Sequence, residues 1–278
     1  MCVQSFPHTT SVIDLDACHI KAKYGGALLV MTVLDGNGQV YPASIGIAES
    51  ENVQTWDWFL SLVKVAFRVE NGGSGLVFLS DREKGIDAAV SALFPDAAHS
   101  FCVYHIQKNV KVKFHTALDG LLFEAAHAVD RTSFQEALRN IKVLRKAAAK
   151  YVKRIEADRW ACSAFPTRRL GHVTSNISES MNWWLEDARK LDPVGLFWAY
   201  VMKLNSLFEA RRVEYGQIPE DALPPNVDDI FKRSVENSWN LRVIRHSVSV
   251  FQVQRLKDPS STRVVNLEVP KCSCGFFT

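Results

Sequence analysis

The chain has 278 residues, enough for a sizeable core in one large domain or two small ones. Its 47% hydrophobic and 23% charged residues are the balance of an ordinary soluble globular protein, and no apolar stretch approaches the roughly 18 to 20 residues of a membrane span. A formal net charge of +3 is too mild to demonstrate a nucleic-acid partner by itself.

The six cysteines (Cys2, Cys18, Cys102, Cys162, Cys272 and Cys274) are mostly scattered, and the opening MCVQSFPHTT lacks the basic start and apolar run of a signal peptide. A reducing, intracellular compartment without a disulfide framework is expected.

In chain order, Ser11 to Asp16 is a short strand candidate and Ala27 to Leu34 a stronger one. A turn at Asp35 to Gly38 follows, and Val40 to Ile47 returns as a strand whose Pro42 favours an edge or a bulge. The three runs suggest an antiparallel meander. Val53 to Val69 predicts a helix, with Trp56, Phe59, Leu60, Val63 and Phe67 at helical spacing and glycines at 72, 73 and 75 ending it. Leu76 to Ser80 reads as a buried, parallel strand, Lys84 to Leu93 as a helix, and Ser100 to Tyr104 as a fifth strand. From Ile106 to Lys153 the pattern is helical, as it is over Thr174 to Lys190 and Pro193 to Arg212. Gly216 to Val227 reads as a linker, and Val248 to Leu256 with Arg263 to Val269 as a final hairpin.

Charge clusters locally. His105 to His115 reads HIQKNVKVKFH, and Lys142 to Arg154 contains Lys142, Arg145, Lys146, Lys150, Lys153 and Arg154 with no acid. Either run, taken alone, fits a solvated helix face.

Asp14 and Asp16 fall inside the first strand, where aspartate is disfavoured, on the face opposite Ile13 and Leu15. Asp81 directly follows the Leu76 to Ser80 strand, at the kind of strand end where α/β sheets form ligand sites. Simpler readings exist: Asp16 paired with Lys21 or Lys23, Asp81 as a helix cap, and Glu179 in a capping box with Asn176. Two strand carboxylates and one on a later helix can instead converge and share two divalent ions. Such ions activate a water or a 3′-hydroxyl and stabilise the leaving oxygen of a phosphodiester, and hard oxygen ligands suit Mg²⁺ or Mn²⁺.

These pieces resemble a known family. DACHIKAKYGG (Asp16 to Gly26) is similar to the D-x-T-H-x-K-x-x-Y-G-G opening of Mutator-like element (MULE) transposase domains. The similarity continues through Ala27 to Leu60 and resumes at FLSDREKGI, HSFCVYHIQKN and TSNISESMNWWLEDAR, in the family's order. The resemblance implies an RNase H-like mixed sheet with a helical insertion, C-terminal helices and a short β-hairpin. It implies a catalytic core over residues 1–190 with its insertion about 106–173, a helical extension and linker over 191–247, and a hairpin with a zinc-finger start over 248–278. Asp16, Asp81 and Glu179 match the family's catalytic, metal-binding acids. Cys102 and His105 match its C-x-x-H element; the pair is also half of a zinc-like spacing. Cys18 departs from the usual threonine.

VNLEVPKCSCG (Val265 to Gly275) resembles the start of a SWIM zinc finger. Zn²⁺ is expected only if that finger is completed beyond Thr278, so Cys272 and Cys274 are expected in a mobile tail. The implied function is a nuclear DNA transposase core using two Mg²⁺ or Mn²⁺ ions, with DNA as partner, a homo-oligomer on DNA and no membrane. Lys142, Arg145, Lys146, Lys150, Lys153 and Arg154 would contact phosphates. The alternative is a non-catalytic, domesticated or truncated derivative that binds DNA as a transcription regulator. The family's DNA-binding zinc module does not precede the core here, which favours that alternative; three intact acids favour the enzyme.

Overall fold

The computed structural model describes residues 2–82, 84–118, 120–167, 172–174, 176–219, 221–269 and 271–273. In chain order the elements are α1 (Cys2–Ser5), β1 (Val12–His19), β2 (Ala27–Leu34), β3 (Val40–Ala48), α2 (Val53–Ala66), β4 (Val77–Ser80), α3 (Lys84–Leu93), β5 (Ala98–Phe101) and α4 (Val103–Phe114). There follow α5 (Leu121–His127), α6 (Arg131–Leu144), α7 (Lys146–Val152), α8 (Asn176–Trp184), α9 (Pro193–Tyr215) and α10 (Pro225–Ser238), then β6 (Leu241–Arg245), β7 (Val250–Arg255), β8 (Asp258–Asn266) and β9 (Lys271–Cys272). The chain divides into two compact units, Met1–Ile106 with His172–Pro224, and Gln107–Gly171 with Pro225–Thr278. Among the described residues no helix is long and apolar enough to cross a membrane.

The first unit is built on a mixed five-stranded sheet in the order β3-β2-β1-β4-β5. β1, β2 and β3 form an antiparallel meander, and β4 runs parallel to both β1 and β5. All eight residues of β2 are buried, the pattern of a strand covered on both faces. On one face Ile13, Leu15, Leu29, Met31 and Phe78 pack against Trp56, Phe59, Leu60 and Val63 of α2 and Ile86, Ala89 and Val90 of α3. On the other, Leu28 and Val30 pack against Met181 and Leu185 of α8 and Leu196 and Tyr200 of α9. Pro42 sits on the edge strand β3, where the pairing register slips between Met31 and Thr32.

Local chemistry fixes the ends of these elements. Asn52 caps α2 in a reciprocal box with Thr55, and Asp192 caps α9 ahead of Pro193. The β2–β3 turn is held by Asp35, whose Oδ1 accepts from the Asn37 and Gln39 amides at 2.9 Å. The last turns of α9 clamp it: Arg211 pairs with Asp35 at 3.1 Å, and the Tyr215 hydroxyl accepts from Gln39 Nε2 at 2.6 Å.

In the second unit Leu122, Ala125 and Ala126 of α5, Leu138 and Ile141 of α6 and Ala148, Ala149 and Val152 of α7 are buried. The Phe134 and Trp160 rings lie 5.4 Å apart. The C-terminal segment departs from expectation. The expected hairpin is present as β7 and β8, but within a four-stranded antiparallel sheet, β6-β7-β8-β9, and α10 takes up the last three residues of the expected linker. α10 begins at Pro225, the last proline of the expected linker, because proline suits a helix's first turn. Lys271 and Cys272 were expected in a mobile tail, yet they pair with Asn266 and Val265 of β8. Ser273 donates its amide to Val264 and accepts back through its hydroxyl. Backbone pairing with β8 therefore holds this segment. β5 also starts and ends earlier than expected, because Cys102 already opens the approach to α4.

Gly26 adopts φ +112° at the start of β2, and a Cβ there would stand 2.7 Å from the Ala48 carbonyl oxygen. Gly25 adopts φ +64° with nothing within 4 Å of its position. Gly26→Ala should therefore cost about 2 to 3 kcal/mol, combining strain and a backbone clash, and Gly25→Ala only about 1 kcal/mol. Thermal or denaturant melting of both variants checks the order; equal losses would contradict it.

Candidate active site

Parallel pairing sets the first two acids side by side. The β1–β4 register ends at Leu15 opposite Ser80, so Asp16 and Asp81 are the next residue on each chain. Adjacent strands lie about 4.8 Å apart. Leu15 faces the α2–α3 side, so Asp16 faces the α8–α9 side, as alternation requires. Asp14 shares that face and is fully buried; Asp16, just past the last β1–β4 pair, is only half-buried.

The electrostatics follow from this placement. Burial, and next the Asp81 charge, raise the Asp16 pKa to about 7, with Glu51 adding a smaller push. Two hydrogen bonds oppose the rise, one from the Ala17 amide and one from Asn182. Asn182 Nδ2 donates to Asp16 Oδ2 at 2.7 Å, so α8 reaches the acids directly. Glu51 belongs to the loop before α2 and accepts from Trp56 Nε1 at 3.0 Å. Lys21, one of the two candidate partners of Asp16 in the simpler reading, pairs with Glu186. Lys23 lies 6.0 Å from the Tyr24 ring.

Glu179 belongs to α8, three residues and so about one turn before Asn182. Its side chain and that of Asn176 lie outside the described residues. Among the described residues no group of three or more His, Cys, Asp or Glu is placed to hold a metal ion. Asn182 and Glu51 were not singled out in the sequence. For Asn182 a signal existed, namely its one-turn spacing from Glu179; for Glu51 none did.

Cys18, two residues beyond Asp16, packs with Ile20, Leu28, Met181 and Leu185, and burial pushes its thiol up to about 11. It is therefore a neutral packing group at neutral pH. Cys102 is fully buried and donates its amide to the Ser80 carbonyl at 2.7 Å, next to Asp81. His105 is half-buried in the first turn of α4, its ring 5.9 Å from that of Tyr104.

In the second unit Lys142, Arg145, Lys146, Lys150, Lys153 and Arg154 are all exposed. Lys146, Lys150 and Lys153 follow one another at helical spacing at α7, opposite its buried Ala148, Ala149 and Val152. Lys153 also lines a cavity of about 600 Å³ with Arg131, Gln135 and Arg139 of α6 and no carboxylate. Arg131 and Arg139 were not among the expected cations. Cys272 is buried on β9, and Cys274 lies outside the described residues.

The chain is similar to parts of several known proteins. The Arabidopsis thaliana Protein FAR1-RELATED SEQUENCE 4 is 22% identical over 37% of this chain, and Protein FAR-RED IMPAIRED RESPONSE 1 of the same plant is 27% identical over 37%. The matches span only 14% and 12% of those relatives' length. Among solved structures, a chain of a simian T-cell lymphotropic virus intasome in complex with PP2A regulatory subunit B56 gamma matches 40% of this chain and 45% of its own length, at 15% identity and a TM-score of 0.24. The model of the MULE transposase domain matches residues 12–109, the span that holds Asp16, Asp81, Cys102 and His105. Residues 12–109 are a MULE transposase domain.

Proposed function

We propose that this chain is the core of a DDE-type DNA transposase, cutting and joining DNA strands with divalent metal at Asp16, Asp81 and Glu179. The observation that carries the reading is the apposition of Asp16, within β1, and Asp81, just past β4, with Asn182 of α8 on the Asp16 carboxylate. The sheet order, with an acid on β1 and another just past β4, supports an RNase H-like core. The helices between β5 and α8 support the reading of an insertion ahead of the third acid.

The donor set suits a hard cation. Two carboxylates held together in partial burial repel, as the raised Asp16 pKa records, and a divalent ion removes that repulsion. Asp16, Asp81 and Glu179 would hold Mg²⁺ or Mn²⁺, which when bound activates a water or 3′-hydroxyl and stabilises the leaving oxygen of a phosphodiester. Asn182 orients Asp16 by donating to one of its oxygens and leaving the other for a ligand role. The exposed cations of α6 and α7 would bind DNA phosphates. The nucleus is the compartment that such a substrate requires.

A second reading is a DNA-binding regulator that no longer cuts. It is favoured by a relative whose name refers to an impaired far-red response. Activity separates the two. Asp16→Asn, Asp81→Asn and Glu179→Gln should each lower Mn²⁺-dependent cleavage or joining of DNA by at least about 10²-fold, while Asn182→Ala lowers it about 10-fold through ligand orientation. Wild-type protein that binds DNA yet never cuts it favours the regulator.

The Asp16 pKa has a defined consequence for stability. A carboxyl raised from 3.8 to about 7 in the folded state is neutral in both states at low pH and costs nothing there. Its penalty grows as pH rises through that window and is complete above about 7. Asp16→Asn should therefore stabilise the metal-free protein at pH 8, on the order of 2 to 4 kcal/mol, with the gain vanishing at pH 4. Saturating Mn²⁺ should reverse the order, because only wild type gains binding free energy. Melting curves at both pH values, with and without Mn²⁺, test this; a variant less stable than wild type in every condition contradicts it.

DNA binding should depend on salt and little on sequence. Neutralising Arg131, Arg139 and Lys153 together should reduce the log–log salt slope by about 0.7 to 0.9 per lost phosphate contact. An unchanged slope marks these cations as a solvated face.

A further inference from the structure

Asp81 stands at the end of a short strand, where no further ladder pairing holds it. β4 has four residues, Val77–Ser80, and its pairing with β1 stops at Ser80. A metal ligand there needs a backbone that does not drift, because misplacement of about 1 Å at a reacting centre costs on the order of 10²-fold in rate.

Three side chains supply that restraint. The Ser80 hydroxyl is fully buried and donates to the Asp81 carbonyl oxygen at 2.7 Å. The same hydroxyl lies 2.8 Å from His99 Nε2, on the neighbouring strand β5. His99 Nδ1 lies 3.2 Å from Asp87 Oδ1, in the first turn of α3. His99 is itself buried, and its ring meets the Phe101 ring at 5.5 Å. From the other side, the Cys102 amide donates to the Ser80 carbonyl at 2.7 Å. The peptide that carries Asp81 is thus gripped at both of its flanking carbonyls.

Hydrogen counting gives the chain a direction. A serine hydroxyl has one hydrogen, and a backbone carbonyl only accepts. When Ser80 donates to Asp81, the Ser80 oxygen is free to accept from Nε2–H of His99. The Asp87 carboxylate, acceptor only, then takes Nδ1–H, so in this arrangement His99 carries a hydrogen on both ring nitrogens, an imidazolium facing a carboxylate. The sequence Asp87, His99, Ser80, Asp81 is therefore a directed relay from a helix, through β5, to the end of β4. Its serine is no nucleophile: it is enclosed, and its hydrogen is committed to a carbonyl.

We propose that Asp87, His99 and Ser80 are positioning residues that fix the Asp81 backbone, and so aim its carboxylate for divalent-cation binding. The proposal rests on the metal-dependent reading of Asp16 and Asp81 given above. His99 and Ser80 touch no substrate in this role; they act only through Asp81.

The test uses the full chain and Mn²⁺ alone, with affinity from calorimetry and folding from metal-free melting. Ser80→Ala and His99→Leu should each weaken Mn²⁺ binding by about 10- to 100-fold, the usual loss for partners of a metal ligand. His99→Gln, whose amide can still donate towards Ser80, should recover most of that loss. Asp81→Asn is the control and should abolish the Asp81-dependent binding altogether. Should His99→Leu fail to fold, Ser80→Ala carries the test, since it removes a single oxygen. Folded Ser80→Ala with lowered melting temperature and wild-type Mn²⁺ affinity overturns the relay and leaves only a packing role. Wild type that binds no Mn²⁺ through Asp81 overturns the proposed function itself, and the relay with it.

Discussion

Two carboxylates held side by side where the pairing of β1 with β4 ends are the feature on which the first unit depends. Asp16 and Asp81 are placed by a parallel register that neither side chain can escape. Like charges so close disfavour joint ionisation, and partial burial adds to the cost. A protein tolerates such a site only when well-packed structure around it over-determines the geometry. Here both faces of the sheet are sealed, by Trp56, Phe59 and Leu60 on one side and by Met181, Leu185 and Leu196 on the other. That apolar burial offsets what the acids cost.

The same packing explains why residues far apart in sequence meet. α8 arrives after the whole run of helices α4 to α7, yet Met181 and Leu185 seat it on β2. Asn182 lies between those two anchors in sequence, so seating the helix delivers the amide to Asp16. The anchor residues and the polar residue thus serve one purpose: hydrophobic contact gives the position, and the hydrogen bond gives the orientation. Glu186 follows one turn later and pairs with both Lys21 and Arg189.

Much of this was legible in the sequence, and the exceptions have causes. β2 and α3 begin and end where expected, because an unbroken apolar run and a clean helical period leave little choice. Pro42 announced an edge strand because proline cannot donate to a ladder. α10 was hidden because none of its residues is buried, so no apolar stripe with a partner marks it. β6 was hidden for a related reason: Leu241 and Val243 remain exposed, and the strand is defined by pairing with β7 alone. In the site, Asp16 and Asp81 were legible because a charge inside a strand or at its end is costly and conspicuous. Asn182 was not, because a neutral amide among serines and tryptophans carries no such penalty. Ser80 looked like an ordinary strand residue and His99 lay just ahead of the expected fifth strand, and only the β4–β5 register brings the Ser80 hydroxyl to the imidazole.

The central claim is that the acids form a divalent-cation site, and locating the ions tests it most directly. Anomalous scattering from Mn²⁺ in crystals of the full chain should show metal peaks held by Asp16, Asp81 and Glu179. Peaks confined to other carboxylates, with Asp16 still held only by Asn182 and Ala17, would contradict it.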